Sequence, residues 1–389
     1  MTGRTDRDAT AGGRVGDRPG VARQRRDHAA DVFSRVLADR DATAVVHVGT
    51  ARDPGLRYAC PTPPTDRTAI AYVGADDEWL VRSAGDDASG HPARRLATAL
   101  ADRGLEGTVL TPPRVPHDAA LYLEGAGVEL ASTDALERAR ATKTDGERAA
   151  IAAAQRAAAA GIRRAASLLA DTTVVDGLLA VGGGPSTDAE PVTPTRLRTA
   201  IDEAIVRAGA FPVGNTAVNP DSRGRSDPEE EPLRPGEPIV LEAAPRGPTG
   251  YYGGLVRTLV VDGDGGRERR VHVGVTQSFR SARSMLTAGP ESVTAVAADL
   301  EAEVRSFGFG EDDAIETRVS GVGLEPRERP IDGGDDVGPG SVVRLDVAGQ
   351  VGAESRVRIA DVLAVHGEGE RPDWLAAPSQ SLEPTALLE

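Results

Sequence analysis

The pattern of apolar and polar positions divides the chain into two parts. Between about residues 27 and 135, short apolar runs of strand length alternate with segments of helical period, which predicts a three-layer α/β domain with a mixed sheet. The predicted helices are Ala30–Asp39, Pro92–Arg103 and Asp118–Gly125. The predicted strands are Ala44–Val48, Thr68–Val73, Glu78–Arg82, Gly107–Leu110 and Val128–Ala131.

The second part, predicted to span residues 140–368, opens with the longest helical signal, Leu136–Leu169. Thr144 and Glu147 form a T-x-x-E capping box, and an apolar stripe follows it. A second helix is predicted at Pro194–Ala208. These features place the domain boundary near Arg140.

A hairpin from Pro238 to Thr258 is the centre of this second part. The apolar run Ile239–Leu241 predicts its first strand, and a Gly/Pro-rich turn separates it from a second apolar run. The later elements are predicted at Arg270–Leu286, Glu291–Gly308, Ile315–Val319, Val342–Val347 and Ser355–Val365. Helices paired around a curved antiparallel sheet predict an α+β domain.

The two ends of the chain lack periodicity. Residues 1–26 are rich in Arg, Asp and Gly, which predicts a disordered tail. Residues 369–389 combine Pro, Ser and Glu, and we expect them to form a flexible tail.

Composition restricts the partners and the compartment. The net charge of −15 argues against nucleic acid and anionic membrane, which repel an acidic surface. Lys143 is the single lysine, and abundant carboxylates with Arg in place of Lys suggest a halophilic cytoplasm, although GC-rich codon bias is an alternative. Cys60 is the single cysteine, which excludes an internal disulfide and thiolate metal sites. The sequence contains no membrane-spanning run and no signal-peptide core, so we expect a cytoplasmic protein.

Four motifs in the second part resemble a known family. They are LRPGEPIVLEAAPRGPTGYYGGLVRT (Leu233–Thr258), SGVGLEPRERP (Ser320–Pro330), VGPGSVVRLDVAG (Val337–Gly349) and ESRVRIADVLAV (Glu354–Val365). In this order they resemble the pita-bread (creatinase/aminopeptidase) metallopeptidases, with the nearest likeness to archaeal Xaa-Pro aminopeptidase and prolidase-like proteins. The resemblance implies a pita-bread domain preceded by a three-layer α/β domain like that of the creatinases.

The resemblance also implies where metal ligands would lie. Family members hold two divalent ions such as Mn, Co or Zn with two Asp, one His and two Glu, and the ions activate a bridging water. The Glu of the family's T-x-E-P-G strand falls at Asp346. The five matching positions are Glu242, Gly254, Ser320, Asp346 and Ala360. Because only two of them are carboxylates, we expect a degenerate site that binds no metal, and we assign no catalytic residue.

The metal-free creatinases offer a second comparison. They rely on histidines whose positions fall at Ser226 and Arg327 in this chain, so that chemistry is not supported either. The predicted cleft residues are Ser226, Tyr251, Arg327, Glu328 and Arg344, with arginines, Arg356 included, that attract anions. Arg344 lies two residues from Asp346 on a strand and is the predicted partner of the Glu242–Asp346 pair.

Two functions follow as hypotheses. The first is a non-catalytic Xaa-Pro aminopeptidase homologue, a peptide-binding or regulatory module that forms a homodimer or pairs with an active paralogue. The alternative is an active metallo-exopeptidase in which Glu242, Asp346 and Glu328 recruit a metal with atypical ligands. The rest of the motifs, Arg257, Arg358 and Asp361 included, is interpreted as scaffold: turn glycines, a packed tyrosine and a structural Arg–Asp pair.

Overall fold

The first part of the chain is a mixed five-stranded sheet with helices on both faces. The computed structural model describes residues 19–60, 66–84, 90–182, 189–220, 231–310, 314–352 and 355–389. The strands are β1 (Ala44–Gly49), β2 (Thr68–Val73), β3 (Glu78–Ser83), β4 (Thr108–Thr111) and β5 (Glu129–Ser132), in the order β3-β2-β1-β4-β5. The helices are α1 (Pro19–Asp39), α2 (Pro54–Ala59), α3 (Pro92–Ala101) and α4 (His117–Glu124).

Alternate residues of β1 show why this part has three layers. Val45 packs in the same cluster as Phe33 of α1, whereas Val46 packs in a second cluster with Leu96 of α3. Because successive side chains of a strand point to opposite faces, β1 is buried on both sides. The predicted three-layer arrangement is what the structure shows.

The predicted disordered tail is wrong for residues 19–26. Helix α1 begins at Pro19 rather than at Ala30, and residues 1–18 lie outside the described part of the chain. The buried guanidinium of Arg25 donates to the Tyr58 carbonyl (2.7 Å) and to the Tyr251 hydroxyl (3.3 Å). A buried charged residue therefore holds the start of α1 against the interior. A search for apolar periodicity does not detect such a contact.

Two helices replace the single helix predicted at Leu136–Leu169. They are α5 (Ala135–Ala141) and α6 (Asp145–Ala170). The predicted capping box starts α6: the Thr144 hydroxyl accepts from the Glu147 N–H, and the Glu147 carboxylate accepts from the Thr144 N–H (2.9 Å). The proposed boundary near Arg140 falls in α5, and the bounds of the two domains remain predictions.

The second part is built on a seven-stranded antiparallel sheet with helices on one face. The strands after α6 are β6 (Thr173–Val175), β7 (Leu178–Val181), β8 (Glu190–Pro191), β9 (Thr216–Val218), β10 (Ile239–Ala243), β11 (Leu255–Leu259), β12 (Glu291–Ser292), β13 (Ile315–Gly321), β14 (Asp336–Val337), β15 (Val342–Gln350), β16 (Arg356–Ala364) and β17 (Asp373–Trp374). The strand order of the sheet is β13-β15-β16-β11-β10-β9, and β17 pairs with β16. The helices after α6 are α7 (Pro194–Arg207), α8 (Arg267–Ala288) and α9 (Val293–Ser306), and a short 3-10 helix follows at Pro384–Leu387.

Alternation along the strands separates the core from the site. Leu345 and Val347 of β15 pack in a cluster with α8 and α9, so Arg344 and Asp346 lie on the other face of the sheet. On β10, Leu241 packs with residues of α6 and α7, and Glu242 lies on the other face. The helices thus cover one face of the sheet and leave the opposite face to charged side chains. None of the helices in the described ranges is long and apolar enough to cross a membrane.

The predicted flexible C-terminal tail is also wrong. The buried Arg257 donates to the carbonyls of Ser379 (2.9 Å) and Pro378 (2.8 Å), and Leu387 is buried in the core beside α6 and α7. Arg257 also forms the structural Arg–Asp pair, because its Nη2 lies 2.7 Å from Asp361 Oδ1 and both side chains are fully buried. Main-chain carbonyls hold the tail, and these leave no signal in the side-chain pattern.

Candidate functional site

The uncovered face of the seven-stranded sheet forms one wall of a cavity of about 630 Å³. Strands β9, β10, β13, β15 and β16 contribute lining residues, and the rest come from α7, from the loops just before β9 and after β13, and from Ala244 just after β10. Charged side chains dominate the lining. The arginines are Arg198, Arg318, Arg327, Arg344, Arg356 and Arg358, and the carboxylates are Asp202, Glu242, Glu316 and Asp346.

Four of these side chains form a closed ion-pair network, which we call the Arg–carboxylate cluster: Glu242, Arg344, Asp346 and Arg358. Arg344 Nη2 donates to Glu242 Oε1 (2.8 Å) and to Asp346 Oδ2 (2.8 Å). Arg358 Nη1 donates to Glu242 Oε2 (2.8 Å), and its Nε and Nη2 donate to Asp346 Oδ1 (2.8 Å) and Oδ2 (2.6 Å). All four carboxylate oxygens therefore accept a hydrogen bond from a guanidinium, and the cluster combines two positive with two negative groups.

The pKa values of the two carboxylates follow from these contacts. Burial alone would raise the pKa of Glu242 and of Asp346, but the charges of Arg344 and Arg358 lower both below their ordinary values. The predicted neutralisation by Arg344 is therefore seen, together with a second arginine. Burial lowers the pKa of Arg358 and the bonds to Asp346 raise it, with a net rise. Glu242, Asp346 and Arg358 therefore stay charged near neutrality.

The remaining positions of the predicted metal site lie around this cluster. Ala360 of β16 is the cross-strand partner of Asp346, and Ser320 of β13 is the partner of Arg344. Gly254 lies just before β11, where a Cβ atom would come within 3.0 Å of Arg344 Cδ and 3.3 Å of Arg344 Nη1. The structure therefore brings the five positions together, with the Arg344 side chain in the space that a carboxylate at position 254 would need.

This arrangement does not fit a dinuclear metal centre. Two divalent ions need several anionic oxygens, and here both carboxylates are fully engaged by guanidinium groups whose charge repels a cation. Over the described ranges of the chain, no group of three or more His, Cys, Asp or Glu side chains is arranged to hold a metal ion. The chemistry that the arrangement supports is recognition of charged or polar groups.

The other predicted cleft residues divide into three sets. Arg327 and Arg344 line the cavity. Tyr251 and Glu328 lie in the interior away from the lining, because the Tyr251 hydroxyl donates to Glu147 (3.0 Å) and Glu328 pairs with Lys143 (2.8 Å) and Arg140. The prediction that these two residues line the cleft is thus wrong. Ser226 lies outside the described residues.

Comparison with known proteins identifies the fold. No protein-family model matches the chain, and no curated protein matches it by sequence. Among solved structures, the Xaa-Pro dipeptidase from Bacillus anthracis matches with a TM-score of 0.71 and 15% identity, over 93% of this chain and 99% of that one. The chain has the pita-bread fold. The fold class predicted from the four motifs is therefore confirmed.

Two further pita-bread structures show the same likeness. The prolidase from Pyrococcus horikoshii OT3 matches with a TM-score of 0.68 and 15% identity, over 91% of this chain and 99% of that one. The X-Pro aminopeptidase from Thermotoga maritima MSB8 matches with a TM-score of 0.69 and 14% identity, over 88% and 97% of the two chains. Because 88–93% of this chain is covered in the three comparisons, the likeness extends over both of its parts. Identity this low establishes the pita-bread fold and leaves the activity to be argued from the site.

Several cavity residues escaped the sequence analysis. Arg358 was assigned to the scaffold, and Arg318, Arg198, Asp202 and Thr216 were not singled out. A signal for some of them exists, because Arg318 and Ser320 are two apart on β13 and so share a face. Arg198 and Asp202 are four apart on α7 and also share a face.

Proposed function

We propose that this protein is a non-catalytic homologue of the Xaa-Pro peptidases that uses the cavity to bind a peptide ligand, or to regulate a partner, without hydrolysis. The solved structures with the same fold carry the names prolidase, Xaa-Pro dipeptidase and X-Pro aminopeptidase. The observation that carries the proposal is the Arg–carboxylate cluster. Arg344 and Arg358 neutralise Glu242 and Asp346, so the two carboxylates at the metal-ligand positions are not available to hold divalent cations.

Loss of the metal set removes the usual source of a nucleophile. A metal-bound water becomes a strong nucleophile near neutrality because the cation lowers its pKa. A guanidinium does not ligate water in this way and stays protonated in proteins. The cluster is therefore suited to holding an anionic or polar group, and not to activating water.

The alternative, an active peptidase with atypical ligands, would need Glu242, Asp346 and Glu328 to share a metal. Glu328 is buried between Lys143 and Arg140, at 2.8 Å and 2.5 Å. Burial raises the pKa of Glu328, but Lys143 and Arg140 lower it below the ordinary value. Each of the three carboxylates is thus already ion-paired with a basic side chain, which favours the non-catalytic proposal.

We expect the purified protein to bind no stoichiometric metal and to leave Xaa-Pro dipeptides intact. The assay is incubation with Xaa-Pro dipeptides in the presence of Mn²⁺, Co²⁺ or Zn²⁺, followed by mass spectrometry of the products. Metal analysis of protein purified from its own host accompanies it. Turnover, or one metal ion per chain, would contradict the proposal and favour the alternative.

We also infer a halophilic, cytoplasmic protein that forms a homodimer or pairs with an active paralogue. The proposal rests on the sequence, where −15 net charge and Arg in place of Lys are typical of a surface adapted to high salt. Light scattering in molar KCl is expected to give twice the mass of the chain. At low salt, unscreened carboxylates repel one another, so dissociation or unfolding should follow. A monomer in molar KCl would contradict the homodimer.

A further inference from the structure

Three buried polar atoms on residues that line the cavity have no hydrogen-bond partner within the described part of the chain. They are Asp202 Oδ1, Thr216 Oγ1 and Arg344 Nε. Thr216 and Arg344 are only 9% and 8% exposed. Buried polar groups are almost always hydrogen-bonded, because leaving one unsatisfied is costly. Three residues of one cavity wall thus keep an acceptor, a hydroxyl and a donor without partners, which favours a polar ligand over an apolar one.

The charge of the lining specifies the ligand further. Six arginines face four carboxylates, so the cavity is net positive although the chain carries −15. The Arg–carboxylate cluster accounts for two groups of each sign. Arg327, an exposed residue of the loop after β13, adds positive charge at the rim, and Arg198 adds it from α7. A net positive concave surface on an acidic protein concentrates anions.

The cavity also needs a donor on its ligand. Asp202 is a carboxylate with one oxygen lacking a partner, and it lies one helical turn from Arg198 on the same face of α7. A simple anion would be repelled by Asp202, whereas a ligand with an ammonium group would be attracted to it. The volume of about 630 Å³ is that of a small-molecule site.

We propose that the cavity binds a short acidic peptide of about dipeptide size. Its carboxylates are held by Arg327 and Arg198, and its free ammonium group is held by Asp202. The inference rests on the proposed function, because it assigns the chemical class of ligand to the cleft that we describe as a binding site. It adds a requirement for negative side chains that the fold does not impose.

Isothermal titration calorimetry with four probes tests this assignment. The full chain is titrated in EDTA, at a KCl concentration where circular dichroism shows it folded, with Glu-Glu, Gln-Gln, N-acetyl-Glu-Glu and pyrophosphate. We expect Glu-Glu to bind about tenfold more tightly than Gln-Gln, because hydrogen bonds to charged partners are lost in the amide. Acetylation should weaken binding by a similar factor, since it removes the ammonium group.

Two variants test the residues assigned to the carboxylates and to the ammonium group of the ligand. Arg327→Gln should weaken Glu-Glu about tenfold and leave Gln-Gln unchanged. Asp202→Asn should abolish the preference for Glu-Glu over its acetylated form. Arg163→Gln, an exposed arginine of α6 outside the cavity, is the matched control and should change nothing. Circular dichroism of each variant verifies folding.

Each contrary result overturns the inference. Equal affinity for Glu-Glu and Gln-Gln, or binding of none of the probes, excludes an acidic ligand. Pyrophosphate binding as tight as Glu-Glu excludes the ammonium requirement, as does a preference that survives Asp202→Asn. A second experiment tests the non-catalytic function alone: Glu-Glu is incubated with the protein and added metal, and the products are analysed by mass spectrometry. Cleavage would overturn the non-catalytic function. The titrations in EDTA decide the ligand class whichever result is obtained.

Discussion

Replacement of Arg358 by glutamine is expected to destabilise the folded protein by about 3–5 kcal/mol, the range for breaking a buried ion pair on one side. Arg358 is 8% exposed and donates to both Glu242 and Asp346. Its removal leaves the buried Asp346 and the partly buried Glu242 with Arg344 as their shared cationic partner. Urea unfolding followed by circular dichroism measures the change. Arg163→Gln should stay within about 0.5 kcal/mol of the wild type, as surface substitutions usually do.

A double substitution separates electrostatics from packing. Adding Asp346→Asn to Arg358→Gln removes one of the stranded charges, so it should recover part of the lost stability. If the double variant loses as much stability as the two single variants together, Arg358 acts through packing, and the ion-pair explanation is contradicted.

The stability lost in Arg358→Gln should depend on pH in a defined direction. The folded-state pKa values of Glu242 and Asp346 are lowered, so their contribution is fully present above the unfolded-state values of about 4. It disappears as the pH falls through the lower folded-state values. The stability difference between wild type and Arg358→Gln should therefore be constant near neutrality and narrow below about pH 4. If the stability difference between the two proteins does not change below about pH 4, the carboxylates are not the cause of the loss.

Much of the fold could be predicted because buried strands keep their apolar runs. Strand β2 has the predicted bounds Thr68–Val73, and every residue in it is buried. Strand β9 was missed because the three residues Thr216–Val218 are too few to give a periodic signal. The start of α1 and the C-terminal segment were missed for another reason: buried arginines hold them through carbonyl and hydroxyl groups.

The candidate site was predictable in part. Strand alternation placed Arg344 beside Asp346, because residues two apart share a face of a sheet. The part played by Arg358 depends on strand register, which the sequence does not contain. Arg358 pairs across the sheet with Ala348, and Asp346 pairs with Ala360. These small side chains leave room for the Arg358 guanidinium to reach Asp346, and the interaction follows from that pairing.

A six-residue variant is expected to gain tight Mn²⁺ or Co²⁺ binding, with a Kd of about 1 μM or lower, equivalent to about 8 kcal/mol. Five substitutions provide the ligand set that the family resemblance implies, and the sixth, Arg344→Thr, provides the threonine of the T-x-E-P-G pattern. The other five are Glu242→Asp, Gly254→Asp, Ser320→His, Asp346→Glu and Ala360→Glu. The gain is expected because the pita-bread scaffold already brings these positions together around one cavity.

The sixth substitution is needed because the Arg344 side chain lies next to position 254. A Cβ atom at position 254 would lie 3.0 Å from Arg344 Cδ, so a carboxylate introduced there meets the arginine side chain and its charge. The five-residue variant that keeps Arg344 should therefore bind metal at least about tenfold more weakly than the six-residue variant, a difference of about 1.4 kcal/mol. Calorimetry measures both, with circular dichroism to verify folding. Equal affinities would show that Arg344 moves aside at no cost, and a folded six-residue variant without affinity would show that these positions do not form the family's metal site.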